Sequence, residues 1–272
     1  MVQTADFLQS KNLTTLGEIC FNSQAINLKK YVDSMVVVVI PCHIKHLEQG
    51  LIVDLLKKLH FVNYVREFVI VINGSLSDSN DKIRDLNLID SRITVLLENS
   101  DFKTQLQPYL DFNTKSLRGK GYALWLGFAY VCNKYKHLAI VATIDADIKT
   151  FTHDFLLKLL YPLVHFGAHL NKGYYVRYAD EKLTGRLARL LVFPLLQAMK
   201  LQLGSDNLCD FLSEFRYPIS GDVAITSRLI SQLSLMQGWS YDLSLLIQAR
   251  KRTISEKLFQ TEVTDNYQHI NR

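Results

Sequence analysis

LAIVATIDADIKTF, residues 138–151, decides how the rest of the chain is read. Leu138 to Ile144 is apolar except for Thr143, the pattern of a strand covered on both faces. The run ends in two carboxylates, Asp145 and Asp147, on either side of Ala146. Buried strands seldom end in paired acids, so the pair is either a solvated strand end or a cation site. Hard divalent ions such as Mg²⁺ or Mn²⁺ take carboxylate oxygens and share phosphate oxygens, so one or two acids suffice.

The stretches before it carry the same signal. Met35–Ile40 (MVVVVI), closed by Pro41, reads as a central strand; EFVIVIN (67–73) and SRITVLLEN (91–99) read as two more. EQGLIVDLLKKLHFV (48–62) places Leu51, Leu55, Leu56 and Leu59 at helical spacing, and GKGYALWLGFAYVCNKY (119–135) is a helix opening on glycines. Strands alternating with helices predict an α/β fold with a mostly parallel sheet, whose ligands bind at the carboxyl ends of the strands. Three polar turns converge there: Pro41 to His46, Asn73 to Ser77, and Asp145 with Asp147.

From about residue 151 the pattern becomes helical with occasional extended pieces. HDFLLKLLYPLVHFG (153–167) and GRLARLLVFPLLQAMKLQL (185–203) are amphipathic, with Pro162 and Pro194 expected to kink or divide them and the second helix expected to pack into the core. The organisation predicted is an N-terminal helical arm (1–34), a nucleotide-binding half (35–150) and a half completing the site (151–272), all in one continuous domain.

Composition bounds the class. The chain has 272 residues, 48% hydrophobic, with only 5 Pro and 12 Gly, which excludes disorder. Its apolar runs are too short to span a bilayer, and MVQTADFLQSK lacks a signal-peptide profile, so a cytoplasmic protein without a transmembrane segment is expected. The four cysteines show no zinc or disulfide spacing. A net charge of +5 without a Lys/Arg block suits a phosphate pocket better than a nucleic-acid track, and surface solubility accounts for it equally well.

Other polar points are weaker individually. In RGKGYALWLGF (118–128), Gly119 and Gly121 admit close backbone approach, Lys120 brings a compact positive charge and the helix start offers N–H groups to an anion, though the spacing is not that of a P-loop. His165 and His169 lack the glutamate of a metalloprotease helix, while His43 and His46 follow the first strand. Arg186 and Arg189 suit a solvated helix face, and Asp222 and Asp242 suit helix caps.

Taken in order, however, the Pro41 loop, Asn73-Gly-Ser75, GKGYALW (119–125), IDADI (144–148), Gly185-Arg186, Ser220-Gly-Asp222, Tyr241-Asp242 and the terminal His269-Ile-Asn-Arg272 resemble the glucosyl-3-phosphoglycerate synthases. These are retaining glycosyltransferases of the GT-A fold, with the mannosylglycerate synthases as looser relatives. The resemblance runs from about Asp6 to Arg272 and implies a GT-A, Rossmann-like sheet with a helical C-terminal acceptor-binding half. It implies a Mg²⁺- or Mn²⁺-dependent enzyme that moves a hexose, glucose, from a nucleotide sugar, UDP-glucose, to a small acidic acceptor such as 3-phosphoglycerate or glycerate.

By the same resemblance Asp147 and His269 hold the cation. Asp145 and Ala146 lie by the nucleotide sugar with Pro41 and Ser75, and Lys120 neutralises donor charge. Gly185, Arg186, Gly221, Asp222 and Tyr241 serve the acceptor, and Asp242 stands where the family has a glutamate beside the sugar. The chain departs from the pattern at three places: Cys42-His-Ile-Lys-His46 is basic where the family loop is acidic, Ala188 replaces a hydroxyl-bearing residue, and Tyr267 replaces an arginine. Left open are a lipid-phosphate or other acceptor, a non-catalytic nucleotide-sugar binder, and whether the chain is a monomer or homodimer.

Overall fold

The computed structural model describes residues 13–17, 27–74, 80–97, 119–179, 182–183, 185–204, 207–236 and 238–268. Eight strands form one sheet in the order β1 (Thr14–Leu16), β9 (Leu258–Tyr267), β6 (Leu170–Ala179), β8 (Val223–Thr226), β5 (Ile140–Thr143), β2 (Val36–His43), β3 (Val65–Asn73), β4 (Ile93–Leu97); the short β7 (Lys182–Leu183) pairs with β6 alone. Along that order every neighbouring pair is parallel except the two made by β8, which runs against β5 on one side and β6 on the other. The expected α/β architecture is therefore present.

The valine- and isoleucine-rich strands are buried on both faces. One face carries Val36, Val38, Ile40, Ile70 and Ala142 under the helices Leu51–Leu59 and His153–Phe166. The other carries Val37, Val39, Val71, Val141 and Val223 under the helices Lys120–Tyr135 and Tyr241–Arg252. Helix Lys120–Tyr135 can lie close because Gly127 has no side chain: a Cβ there would overlap Val39 Cγ1 and stand 3.3 Å from Val71 Cγ2.

Several local expectations are corrected. Pro41 does not end its strand; β2 continues to His43, paired with β3 throughout, whereas its ladder with β5 stops at Val39 opposite Thr143. Beyond Val39 one side of β2 needs no ladder donor, so a residue without an N–H is tolerated. Pro162 stays inside an unbroken helix, near its end, where the N–H groups of Gly167 and Ala168 both reach the Pro162 carbonyl. Pro194, as expected, divides its helix: a π-helical stretch Ala188–Val192 gives way to the helix Phe193–Leu203 at the residue before it.

The N-terminal arm supplies a strand, Thr14–Leu16, as well as the helix Leu28–Asp33. The C-terminal half supplies β6, β8 and β9 to the sheet besides its helices. The stripe Leu190, Leu191, Leu195 and Leu201 is exposed rather than packed in the core.

Gly127→Ala tests the helix–sheet contact. Alanine favours helix over glycine by about 1 kcal/mol, but the forced contact with Val39 is expected to dominate, with a net loss of about 1–3 kcal/mol in urea unfolding. An unchanged or higher midpoint would show that the close approach at Gly127 is not what holds the helix down.

Candidate active site at the end of strand β5

β5 is short. It stops at Thr143, while β2 and β3 run on together to His43 and Asn73; in the turn that follows, Ile144 and Ala146 are buried in the core and Asp145 and Asp147 are partly exposed at the β5 end. On the other side of β5 lies β8. Because it is antiparallel, its first residue, Val223, pairs with the last residue of β5, Thr143, so the segment Ser220-Gly221-Asp222 meets the acidic turn head-on. The Thr143 hydroxyl fixes this junction, donating to the Gly221 carbonyl at 2.8 Å and accepting from the Val223 N–H at 3.2 Å.

Lys120, the first residue of its helix, forms an ion pair with Asp145 above this junction. Gly221 makes room for the pair. A Cβ on it would lie 2.9 and 3.0 Å from the two Asp145 carboxylate oxygens and would overlap the Lys120 ammonium. Asp222 is fully buried beside it, and its carbonyl accepts from the Gly173 N–H at 2.9 Å. Gly173 eases that approach, since a Cβ there would stand 3.2 Å from the Asp222 carbonyl oxygen, a tight contact.

The next residue back on β6 is Lys172, which belongs to none of the sequence motifs above. It is 1% exposed and its ammonium donates to Asp242 Oδ1 at 3.4 Å; Asp242 lies in the first turn of the helix Tyr241–Arg252 and keeps 15% of its side chain in solvent. Lys172 lies on the same sheet face as Leu170, and because every residue from Leu170 to Tyr175 is buried, the strand carries no alternation by which the sequence could have marked it.

Two ammonium groups and three carboxylates thus share one pocket. Burial pulls Lys120 down, but Asp145, Asp242 and Asp222 outweigh it and hold its pKa above the usual lysine value. Burial dominates at Lys172, whose pKa falls despite Asp242, with Lys120 adding to the fall. Burial likewise raises Asp242 against the pull of Lys172 and Lys120.

Of the other expected site residues, Asp147 lies half-buried in the turn after β5. The nearby Cys42 thiol is pushed up to about 12 by burial and by the Asp147 charge. Pro41 lies within β2, Ala146 is buried in the core, and Tyr241 is buried against Phe128. Gly185, at φ +79, is 3.7 Å by its virtual Cβ from both Arg177 Cδ and the Tyr217 hydroxyl, while Arg186 is exposed. Ser75 and His269 lie outside the described residues. Among those described, no three His, Cys, Asp or Glu side chains form a metal-ligand group. The hard oxygens of Asp145 and Asp147 at a strand end nevertheless suit a Mg²⁺ or Mn²⁺ ion that takes most of its ligands from a diphosphate and water.

A mostly parallel sheet with one antiparallel strand inserted beside the acidic turn is the GT-A fold of nucleotide-sugar transferases. Glucosyl-3-phosphoglycerate synthase from Mycobacterium tuberculosis, in complex with Mn²⁺, UDP-glucose and phosphoglyceric acid, superposes with a TM-score of 0.69 at 22% identity, covering 96% of this chain and 80% of that one. The same enzyme with Mg²⁺ and UDP gives 0.67 at 22% identity, over 95% and 79% of the two chains.

In sequence the chain is similar to the glucosyl-3-phosphoglycerate synthases of Persephonella marina, at 26% identity over 97% of its length, and Methanococcoides burtonii, at 28% over 95%. It spans 68% and 65% of those two proteins. No family model matches the chain. The resemblance to the glucosyl-3-phosphoglycerate synthases is borne out across nearly the whole chain.

Gly221→Ala measures how tightly the site is built. The added methyl is expected to push Lys120 off Asp145 and to cost about 1–3 kcal/mol in urea unfolding. In a Lys120→Met background the cost should shrink; an equal cost in both backgrounds would mean that the methyl meets something other than the ion pair.

Proposed function

We propose that the chain is a metal-dependent, retaining glycosyltransferase that moves glucose from UDP-glucose to 3-phosphoglycerate or a closely similar small acidic acceptor. The observation that carries this reading is the junction of β5 with antiparallel β8. It gathers Lys120, Asp145, Gly221, Asp222 and Asp242 at one strand end, in a chain similar to glucosyl-3-phosphoglycerate synthases over nearly its full length.

Asp147 and His269 would hold the cation. Gln268, immediately before His269, is bound to the residues just past Asp147: its N–H donates to Thr150 Oγ1 at 3.1 Å and its carbonyl accepts from the Lys149 N–H at 3.0 Å. When bound, the cation offsets negative charge on the departing diphosphate, the kind of preorganised stabilisation that contributes most to such reactions.

The protein groups do the rest. Lys120, held charged by its carboxylate neighbours, adds positive charge on the diphosphate side. Asp145 and Asp242 face the sugar hydroxyls as acceptors. The bond from the anomeric carbon to the diphosphate oxygen breaks, the acceptor hydroxyl oxygen forms its bond to that carbon on the same face, and the hydroxyl proton passes to the departing diphosphate oxygen. Gly185 and Arg186, with Arg177 alongside, receive the acceptor's acidic end. Arg177 suits this because its only polar partner among the described residues is the neutral Tyr217 hydroxyl, at 3.5 Å.

Tyr267, which departs from the family pattern, stacks on Tyr175 with ring centroids 3.6 Å apart and is 1% exposed, so it has become a core residue. The exposed leucines Leu190, Leu191, Leu195 and Leu201 favour a second reading, a lipid-phosphate acceptor; no helix among the described residues is long and apolar enough to cross a membrane. Co-sedimentation with anionic liposomes would support that alternative.

Turnover is measured by glucosylated product from UDP-glucose with 3-phosphoglycerate, glycerate and a prenyl phosphate as acceptors. Asp147→Ala is expected to lower kcat by at least about a hundredfold with an unchanged melting point, and near-normal turnover would refute the metal assignment. Chelator should abolish turnover and added Mn²⁺ restore it. Arg186→Ala should raise KM for 3-phosphoglycerate and leave KM for UDP-glucose in place.

A further inference from the structure

Lys172 stands apart from the residues that the sequence pattern marks. It pairs with Val223 on β8, which pairs with Thr143 on β5, which pairs with Val39 on β2, so one row of the sheet runs from the core to this lysine. Along that row the side chains are apolar or hydroxyl-bearing until Lys172, which brings a fully buried ammonium. A buried lysine is costly unless paired, and here the pairing group is Asp242, from a different element. The second ammonium of the pocket, Lys120, pairs with Asp145. The two lysines divide the carboxylates between them.

We propose that Lys172 is a positioning residue, whose buried ammonium holds the Asp242 carboxylate ionised and aimed into the crevice at the sugar. The inference rests on the glycosyltransferase reading above for the word sugar, and on geometry alone for the Lys172–Asp242 link. The groups facing Asp242 are Lys172 from β6, Lys120 from its helix start, Asp145 from the turn after β5 and the neighbouring Tyr241. Two of these are cations and one, Asp145, is an anion, while burial keeps the Tyr241 hydroxyl protonated. Burial already raises the Asp242 pKa, so losing Lys172 leaves one cation facing it and raises that pKa further. The carboxyl then stays protonated to higher pH, one of its two acceptor oxygens becomes a donor, and the side chain is no longer held by an ion pair.

Lys172→Met tests this, being of similar length and uncharged. With the native metal and substrates, kcat should fall about a hundredfold near neutrality, KM for both substrates should stay near native, and the acidic limb of the kcat profile should move to higher pH, so that activity partly returns in alkali. A merely structural pair would lower the melting point and leave the shape of the pH profile unchanged, and that result overturns the proposal. In a double-mutant cycle, Lys172→Met should add little to the loss caused by Asp242→Asn, whereas independent losses count against the link.

A second readout needs no turnover. In protein labelled with [¹³C]aspartate, with the Asp242 carboxyl signal assigned by its absence from Asp242→Asn, Lys172→Met should raise the pH at which that signal titrates. Lys172→Gln serves the same comparison if the methionine variant does not fold. No movement of the Asp242 titration defeats the proposal whatever the kinetics. Movement of the titration in a native protein that turns over none of the acceptors defeats the glycosyltransferase reading and leaves the Lys172–Asp242 link standing.

Discussion

The hydroxyl of Thr143 joins two strands that run in opposite directions, and the candidate site depends on that join. A parallel strand beside β5 would bring its own carboxyl end to the crevice; antiparallel β8 brings its beginning, and with it Gly221 and Asp222. The hydrogen bonds from Thr143 to the Gly221 carbonyl and from the Val223 N–H to Thr143 set the register to a single residue. A one-residue slip in a sheet turns every side chain to the other face. In this chain it would carry Lys172 and Val223 out of their inward positions together, because β6 takes its register from β8.

Glycine is used where polar groups must come close. Gly221 leaves space for Lys120 and Asp145, and Gly173 lets β6 approach the Asp222 carbonyl. Gly127 performs the same service for packing, letting the helix that begins at Lys120 settle onto β2 and β3. These positions connect core and site: the depth at which the helix lies on the sheet sets the height at which its first residue presents an ammonium. Closely packed interiors tolerate little change in such distances.

Charge in the pocket is arranged rather than minimised. Five ionisable side chains share a space from which most water is excluded, and each lysine has a carboxylate within reach. Pairs of this kind contribute little to net stability, since burial costs about as much as attraction returns. Their value lies in direction. Lys120 remains partly open to solvent, with 37% of its side chain exposed, while Lys172 is closed off, so one cation can meet a ligand and the other can meet only the protein.

The buried strand before Asp145 and Asp147, the glycine-opened helix at Lys120 and the α/β alternation of the first half were legible in the residues alone, because apolar runs and local turn chemistry depend on near neighbours in sequence. The order of site motifs was legible too, through the family resemblance. Strands β6, β8 and β9 were not, since their residues mix polar and apolar types and their pairing partners lie far away in the chain. Nor could Pro41 be seen to lie within β2, because tolerance of proline there depends on β5 stopping early. Lys172 shows the same limit most clearly. By itself the sequence determined that a lysine stands between Asn171 and Gly173; only the tertiary structure decided that it points inward, because its direction is set by a register with β8 and β9, and its partner, Asp242, is seventy residues further along the chain.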